Sequence, residues 1–149
     1  MNKLLFYFLL SINFCVFSQE EASNWYFGEN AGIQFANDGS ITVLNDGQLN
    51  TIEGCSSISD SNGNLLFYTD GITVYNRQHT ILNNGFGLLG DPSSSQSAIV
   101  VPKPNDPDIY YIFTVGSNQS QTGLKYSVVD MTRDGGLGQV GHCTFKPWR

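Results

Sequence analysis

Ser56-Ser57-Ile58-Ser59-Asp60-Ser61-Asn62-Gly63-Asn64-Leu65-Leu66-Phe67-Tyr68-Thr69-Asp70-Gly71-Ile72-Thr73-Val74-Tyr75 decides the fold class. Residues 56–59 and the apolar and β-branched run 65–69 read as short strands separated by Asp60 to Asn64, residues that tight turns select. Asp70-Gly71 then reads as a two-residue hairpin turn of type I′, whose positive φ at both central positions matches strand twist, and residues 72–75 form a third strand. A three-stranded antiparallel meander is expected over Gly54 to Asn76. Nowhere after residue 18 does the 3.6-residue apolar period of an amphipathic helix persist, so the expected class is all-β.

The same grammar recurs on both sides. Upstream, residues 33–35 and 40–44 flank Asn37-Asp38-Gly39; downstream, residues 98–101 lead through Pro102 to Asp108 into residues 109–115, a polar Gly/Ser/Gln loop and residues 124–129. Phe67-Tyr68-Thr69 and Ile112-Phe113-Thr114 lie 45 positions apart, close to the roughly 40–50 residues of a propeller repeat. Gly85 to Ser97, rich in Gly and Ser, reads as the connection between one repeat and the next. Propellers close with about four to eight blades. Residues 19–140 hold two to three, so a partial β-propeller is expected, and the chain alone is expected to be poorly soluble or to associate through unpaired blade faces.

Composition sets the outer limits. With 40% hydrophobic and 13% aromatic residues against 13% charged, the 149-residue chain is far from the composition of a disordered segment, and it has room for one domain at most. The formal charge of −6, with cations scattered singly at Arg77, Lys103, Lys125, Arg133, Lys146 and Arg149, argues against nucleic acid and against anionic membrane surfaces. Lys3 followed by the apolar run Leu4 to Phe17, too short to cross a bilayer comfortably, reads as a signal peptide over 1–18 with cleavage after Ser18. The expected location is therefore periplasmic, cell-surface or secreted, with no stable membrane insertion after cleavage. Cys15 lacks the small residues of a lipoprotein site. Cys55 and Cys143 could pair, although nothing in their spacing requires it, and no Cys-x-x-Cys pair supports a metal site.

Asn24-Trp25-Tyr26-Phe27-Gly28, Asp46-Gly47-Gln48-Leu49-Asn50-Thr51, Glu53 to Asp60 and Gly63 to Gly71 together resemble the amino-terminal propeller region of large bacterial surface proteins. Those proteins carry a gliding-motility-associated, type B sorting domain of the type IX secretion system at the carboxyl end. The likeness continues through Gln96 to Pro104, Tyr110 to Thr114, Tyr126 to Met131 and Asp134 to Gly138, covering Asn24 to about Val140. It implies an exported, surface or secreted β-propeller module, a fragment of a larger type IX secreted protein. Residues 141–149 depart from the pattern and read as an aberrant or truncated tail, with His142 and Cys143 inside it.

No residue stands out as catalytic, cofactor-binding or metal-binding. His79, the one histidine within the likeness, reads as a solvated loop residue. Asp60 to Asn64 resembles the start of a calcium loop without its closing Glu, so a plain turn is preferred. Ser93-Ser94-Ser95-Gln96-Ser97 lacks a nucleophile elbow. Glu53 paired with Asp60 or Asp70 could suggest glycosidase carboxylates, but with 13 acids in the chain many such pairs can be drawn. Trp25, Tyr26, Tyr68, Tyr75, Tyr110, Tyr111 and Tyr126 could line a sugar-binding surface, yet alternation along strands puts most of them in the core between sheets. The favoured function is non-catalytic adhesion or binding of an unidentified glycan or protein, with no cofactor. A propeller-type hydrolase of glycans or esters is the alternative.

Overall fold

Turn-forming residues interrupt the apolar pattern every four to ten positions, so the chain reverses before a helix can nucleate. The computed structural model describes residues 20–116 and 123–141, and these are all-β apart from two single 3-10 turns, Glu20–Ala22 and Asp134–Gly136. Strands β1 (Asn24–Tyr26), β2 (Gly32–Phe35) and β3 (Ile41–Leu44) form a three-stranded antiparallel sheet. An eight-stranded mixed sheet is built from two meanders. The first is β4 (Ser56–Ser59), β5 (Leu65–Thr69), β6 (Thr73–Asn76) and β7 (Ile81–Phe86). The second is β8 (Ala98–Lys103), β9 (Asp106–Val115), β10 (Leu124–Asp130) and β11 (Gln139–Val140). A parallel pairing of Gln139 with Asn83 joins them, giving the order β4-β5-β6-β7-β11-β10-β9-β8. The two end strands approach each other, and Val100 N donates to Ser56 Oγ at 3.3 Å, so the sheet nearly closes on itself.

Successive strand residues face opposite ways, and Phe67 and Tyr68 show what that does here. Phe67 enters a core with Val74 and Leu82 of the first meander and Ala98, Ile112 and Val129 of the second, with Tyr110 edge-on at 5.6 Å. Tyr68 enters a second core on the other side, where it stacks between Tyr26 (4.4 Å) and Tyr75 (5.5 Å) above Leu49. Both residues are fully buried, each worth about 1.5–3 kcal/mol of apolar burial. The β4–β7 meander is thus the middle of three layers, covered on one face by the β1–β3 sheet and on the other by β8–β11. Phe67 and Ile112, matched by their spacing, occupy the second strand of their respective meanders and meet in one core.

The two outer layers each turn an apolar face away from the stack. In the β1–β3 sheet, register places Trp25 beside Ile33 and Val43, and Phe35 beside Ile41. Trp25, Ile41 and Val43 are 45%, 62% and 69% exposed. In the second meander Ile99 pairs with Phe113 and Val101 with Tyr111, and Tyr126 completes an aromatic triangle with ring separations of 6.1 and 6.2 Å. Ile99 and Val101 remain 51% and 38% exposed.

Several expectations need correction. The unit at 54–76 belongs to a four-stranded meander, because β7 runs through Gly85 and Phe86, where a connection was expected. The connection is therefore 87–97. The Asp70-Gly71 turn is not type I′. Gly71 alone has positive φ (+87°), and the strands close at Thr69 and Val74 around a four-residue loop. Asp70 Oδ1 accepts from the N–H groups of Ile72 (2.8 Å) and Thr73 (2.7 Å), which holds that loop without a primed turn. Asp60 to Asn64 is a turn as expected, with Asp60 Oδ1 accepting from Asn62 N and Asn64 N and Gly63 at φ +81°. The expected signal peptide (1–18), Cys15, His142, Cys143 and all of the expected tail except Gly141 lie outside the described residues.

Candidate functional site

Two places gather polar or aromatic side chains, and the first joins two layers. The β6–β7 turn is shaped by Asn76, buried at 2% exposure, whose Oδ1 accepts from Gln78 N and Thr80 N. That turn places His79 at φ +60° with its ring directed inward. Its Nε2 lies 3.2 Å from Asp46 Oδ2, on the connection after β3, and its Nδ1 lies 3.0 Å from the Tyr68 hydroxyl. Tyr26 donates to the other Asp46 oxygen at 3.0 Å, and Gln48 N donates to the Tyr68 oxygen at 3.1 Å. Every hydrogen-bonding group is satisfied when Nε2 carries the imidazole proton, Asp46 accepts it and Tyr68 donates to Nδ1. Burial, reinforced by the hydrogen bond and charge of Asp46, pushes the Tyr26 phenol well above its ordinary value; burial pushes Tyr68 up to about 12.

Carboxylate, imidazole and hydroxyl here follow the order used in acyl transfer. The hydroxyl, however, belongs to a residue with no exposed surface, and its oxygen is already engaged by Gln48. No substrate carbonyl can approach it. The network ties the first sheet to the middle meander, and His79, 22% exposed, is not the solvated loop residue expected.

The second place is an open groove of about 580 Å³ between β1 and β4. Trp25 and Phe27 form its aromatic wall, edge-to-face at 6.3 Å, and Ser56, Ser57 and Pro102 lie among its other lining residues. The Trp25 indole N–H donates to Ala22 O at 2.8 Å, which fixes the ring even though it is 45% exposed. Cys55 lines the groove and donates its thiol to Tyr26 O at 3.2 Å. Burial, then the charge of Asp70, raises its pKa, so it is a poor nucleophile. Glu21 lies among the lining residues too.

The remaining candidates are not brought together for chemistry. Glu53 is exposed and accepts from Ser95 at 3.3 Å, while Asp60 and Asp70 are committed to their turns. In the serine run, Ser97 Oγ is buried without a hydrogen-bond partner among the described residues, so no imidazole among them activates it. Among the aromatics, Tyr26, Tyr68 and Tyr110 are core, Tyr75 packs against it, Tyr111 and Tyr126 belong to the outer face of the second meander, and Trp25 is exposed. Among the described residues no group of three or more His, Cys, Asp or Glu side chains is placed to hold a metal ion, and no helix is long and apolar enough to cross a membrane. The sequence contained no signal for the Asp46–His79 pairing, which joins residues 33 positions apart through the contact between two layers. Comparison with protein-family models, with curated proteins and with solved structures finds no match to this chain.

Proposed function

We propose that the chain acts by binding and not by catalysis, as part of an exported β-propeller-type module of a larger type IX secreted surface protein, serving adhesion to a glycan or protein. The carrying observation is the contrast between the two places above. The aromatic groove is open and its indole is fixed, whereas the one carboxylate–imidazole–hydroxyl arrangement among the described residues has its hydroxyl on the fully buried Tyr68, out of reach of a substrate. Fixed, exposed aromatic rings supply contact area at low entropic cost, which suits recognition. The propeller reading draws on two successive four-stranded meanders that share a core, here also joined edge to edge through Gln139 and Asn83 into one nearly closed sheet, and on outer faces apolar enough to receive further sheets.

The test uses the chain from Gln19 onward and a panel of neutral and charged oligosaccharides and peptides. Binding that is lost in Trp25→Ala while the melting temperature holds is the expected result. Hydrolysis of a chromogenic ester or glycoside that disappears in His79→Ala would overturn the reading in favour of a hydrolase.

A further inference from the structure

Among the strands that end the two sheets, β1 and β8 have their outward backbone groups engaged by side chains, and β3 does not. On β1, Tyr26 N donates to Ser57 Oγ at 3.2 Å and Tyr26 O accepts from the Cys55 thiol at 3.2 Å. On β8, Val100 N donates to Ser56 Oγ at 3.3 Å, Ala98 O accepts from Gln96 Nε2 at 2.8 Å, and Pro102 has no N–H to offer. The remaining end strand, β4, packs against both of these.

The direction of the β3 backbone groups follows from the hairpin that precedes it. Ala36 N donates to Ser40 O at 2.9 Å, and hydrogen-bonded pairs alternate along an antiparallel ladder. Thr42 and Leu44 therefore bond to Gln34 and Gly32 of β2, while Ile41 and Val43 turn their N–H and C=O groups outward. The β1–β2 ladder agrees. Phe35 N donates to Ser23 O and Phe27 N to Ala31 O, both at 2.8 Å, which commits the residues opposite Ile41 and Val43 to β1. Ile41, Thr42 and Val43 are all exposed, and the four outward groups have no hydrogen-bond partner among the described residues. Edge strands are ordinarily protected by charge, proline or a bulge, and Ile41-Thr42-Val43-Leu44 carries none of these.

We propose that this edge pairs with the same edge of a second copy of the chain, joining two three-stranded sheets into one of six strands about a two-fold axis at Thr42. The strand is complementary to itself. With Thr42 opposite Thr42 of the second copy in antiparallel register, Ile41 exchanges both bonds with the second copy's Val43, and Val43 does so with the second copy's Ile41. All four outward groups of each strand are then used. A shift of two residues either way leaves a single reciprocal pair within β3. Paired residues lie on the same face, so the apolar row of Trp25, Ile33 and Val43 runs on into Ile41 and Phe35 of the second copy. No charged residue lies within the strand, so no like charges are set opposite one another. Thr42 points toward the side of the middle meander and is exposed there, which leaves room beside the edge. Four residues a side make a small interface, and the pairing belongs to the weak, reversible class. It stands independently of what the aromatic groove binds.

The test is cysteine cross-linking in the chain from Gln19 onward, with Cys55 and Cys143 replaced by serine. Across the axis the two Thr42 Cα atoms lie about 4.5 Å apart, within disulfide reach, whereas Ile41 and its own counterpart are diagonal neighbours at about 7–8 Å. Under mild oxidation Thr42→Cys is expected to give a covalent dimer at least about tenfold faster than Ile41→Cys. Adding Val43→Pro, which removes an outward N–H and spares the β2–β3 ladder, should slow that reaction about tenfold. Amide exchange in the unsubstituted chain supplies a second reading that needs no variant to fold: protection at Ile41 and Val43 should rise between about 10 μM and 1 mM protein. Equal cross-linking rates at positions 41 and 42, a folded Val43→Pro variant that cross-links as fast as its parent, or exchange at Ile41 and Val43 indifferent to concentration overturns the proposal. The reading of the chain as a binding module survives any of these results, because its own test is the Trp25-dependent ligand.

Discussion

Replacing Tyr68 by Phe removes one oxygen and tests whether the contact between the first sheet and the middle meander rests on the network at Asp46 and His79. The ring stays, so stacking on Tyr26 and Tyr75 and the burial of the aromatic surface are retained. What is lost is the acceptor for Gln48 N–H and the donor for His79 Nδ1. Gln48 is exposed and its N–H can turn to water, so the loss is that of ordinary hydrogen bonds, about 0.5–1.5 kcal/mol. For a domain of this size that corresponds to a fall in melting temperature of about 2–5 °C. The assay is thermal unfolding followed by near-ultraviolet circular dichroism at one fixed protein concentration, so that any self-association contributes equally to each variant. Tyr68→Phe, His79→Ala and the double variant form a cycle, with an expected coupling of at least about 0.5 kcal/mol because the two side chains touch. A melting temperature unchanged to within about 1 °C, or strictly additive effects, would refute the claim that this hydroxyl links the layers.

Three further outcomes are expected. Gly28→Ala should loosen the first sheet, because an added Cβ would fall 1.6 Å from the backbone oxygen of Thr51; faster amide exchange confined to β1–β3 is the readout, and wild-type protection would refute it. Asp60 has a folded-state pKa below its unfolded value, so its contribution is present above pH ~4 and is lost as the pH falls through the folded value. Acid titration of stability should be shallower in Asp60→Asn, and superimposable curves would count against the turn as an acid-sensitive element. Ile99→Lys, on the exposed apolar face of the second meander, should reduce the association of the chain in sedimentation velocity; a wild-type chain that is already a monomer refutes the view that this face needs a cover.

The elements legible in the sequence are those whose boundaries coincide with turn chemistry. Strands β4 and β5 lie on either side of Asp60 to Asn64, where Asp60 closes the turn through its own carboxylate. Strand β7 was hidden because Asn83-Asn84-Gly85 looks like a break. Asn84 does take φ +58°, but inside the strand, where Gly85 lets the chain approach Leu82 and Val74 so closely that a Cβ would lie 2.9 Å from the first and 3.0 Å from the second. Strand β11 spans two residues, too short for any periodicity. The groove was half legible: the aromatics could be seen, yet which of them would be buried depended on the layer each strand faced.

The parallel pairing of β11 with β7 also imposes an order of assembly. A chain that emerges from its amino end can complete β4–β7 and β8–β10 as local hairpins, but the seam between them waits for Gln139 and Val140. There Gln139 pairs with Asn83, and Asn84 Nδ2 reaches Val140 O at 3.3 Å across 56 residues. Until then β7 has an open edge, the kind of surface on which strands from other molecules nucleate. The exposed edge of β7 therefore exists only while the chain is incomplete, and it is closed when Gln139 and Val140 arrive.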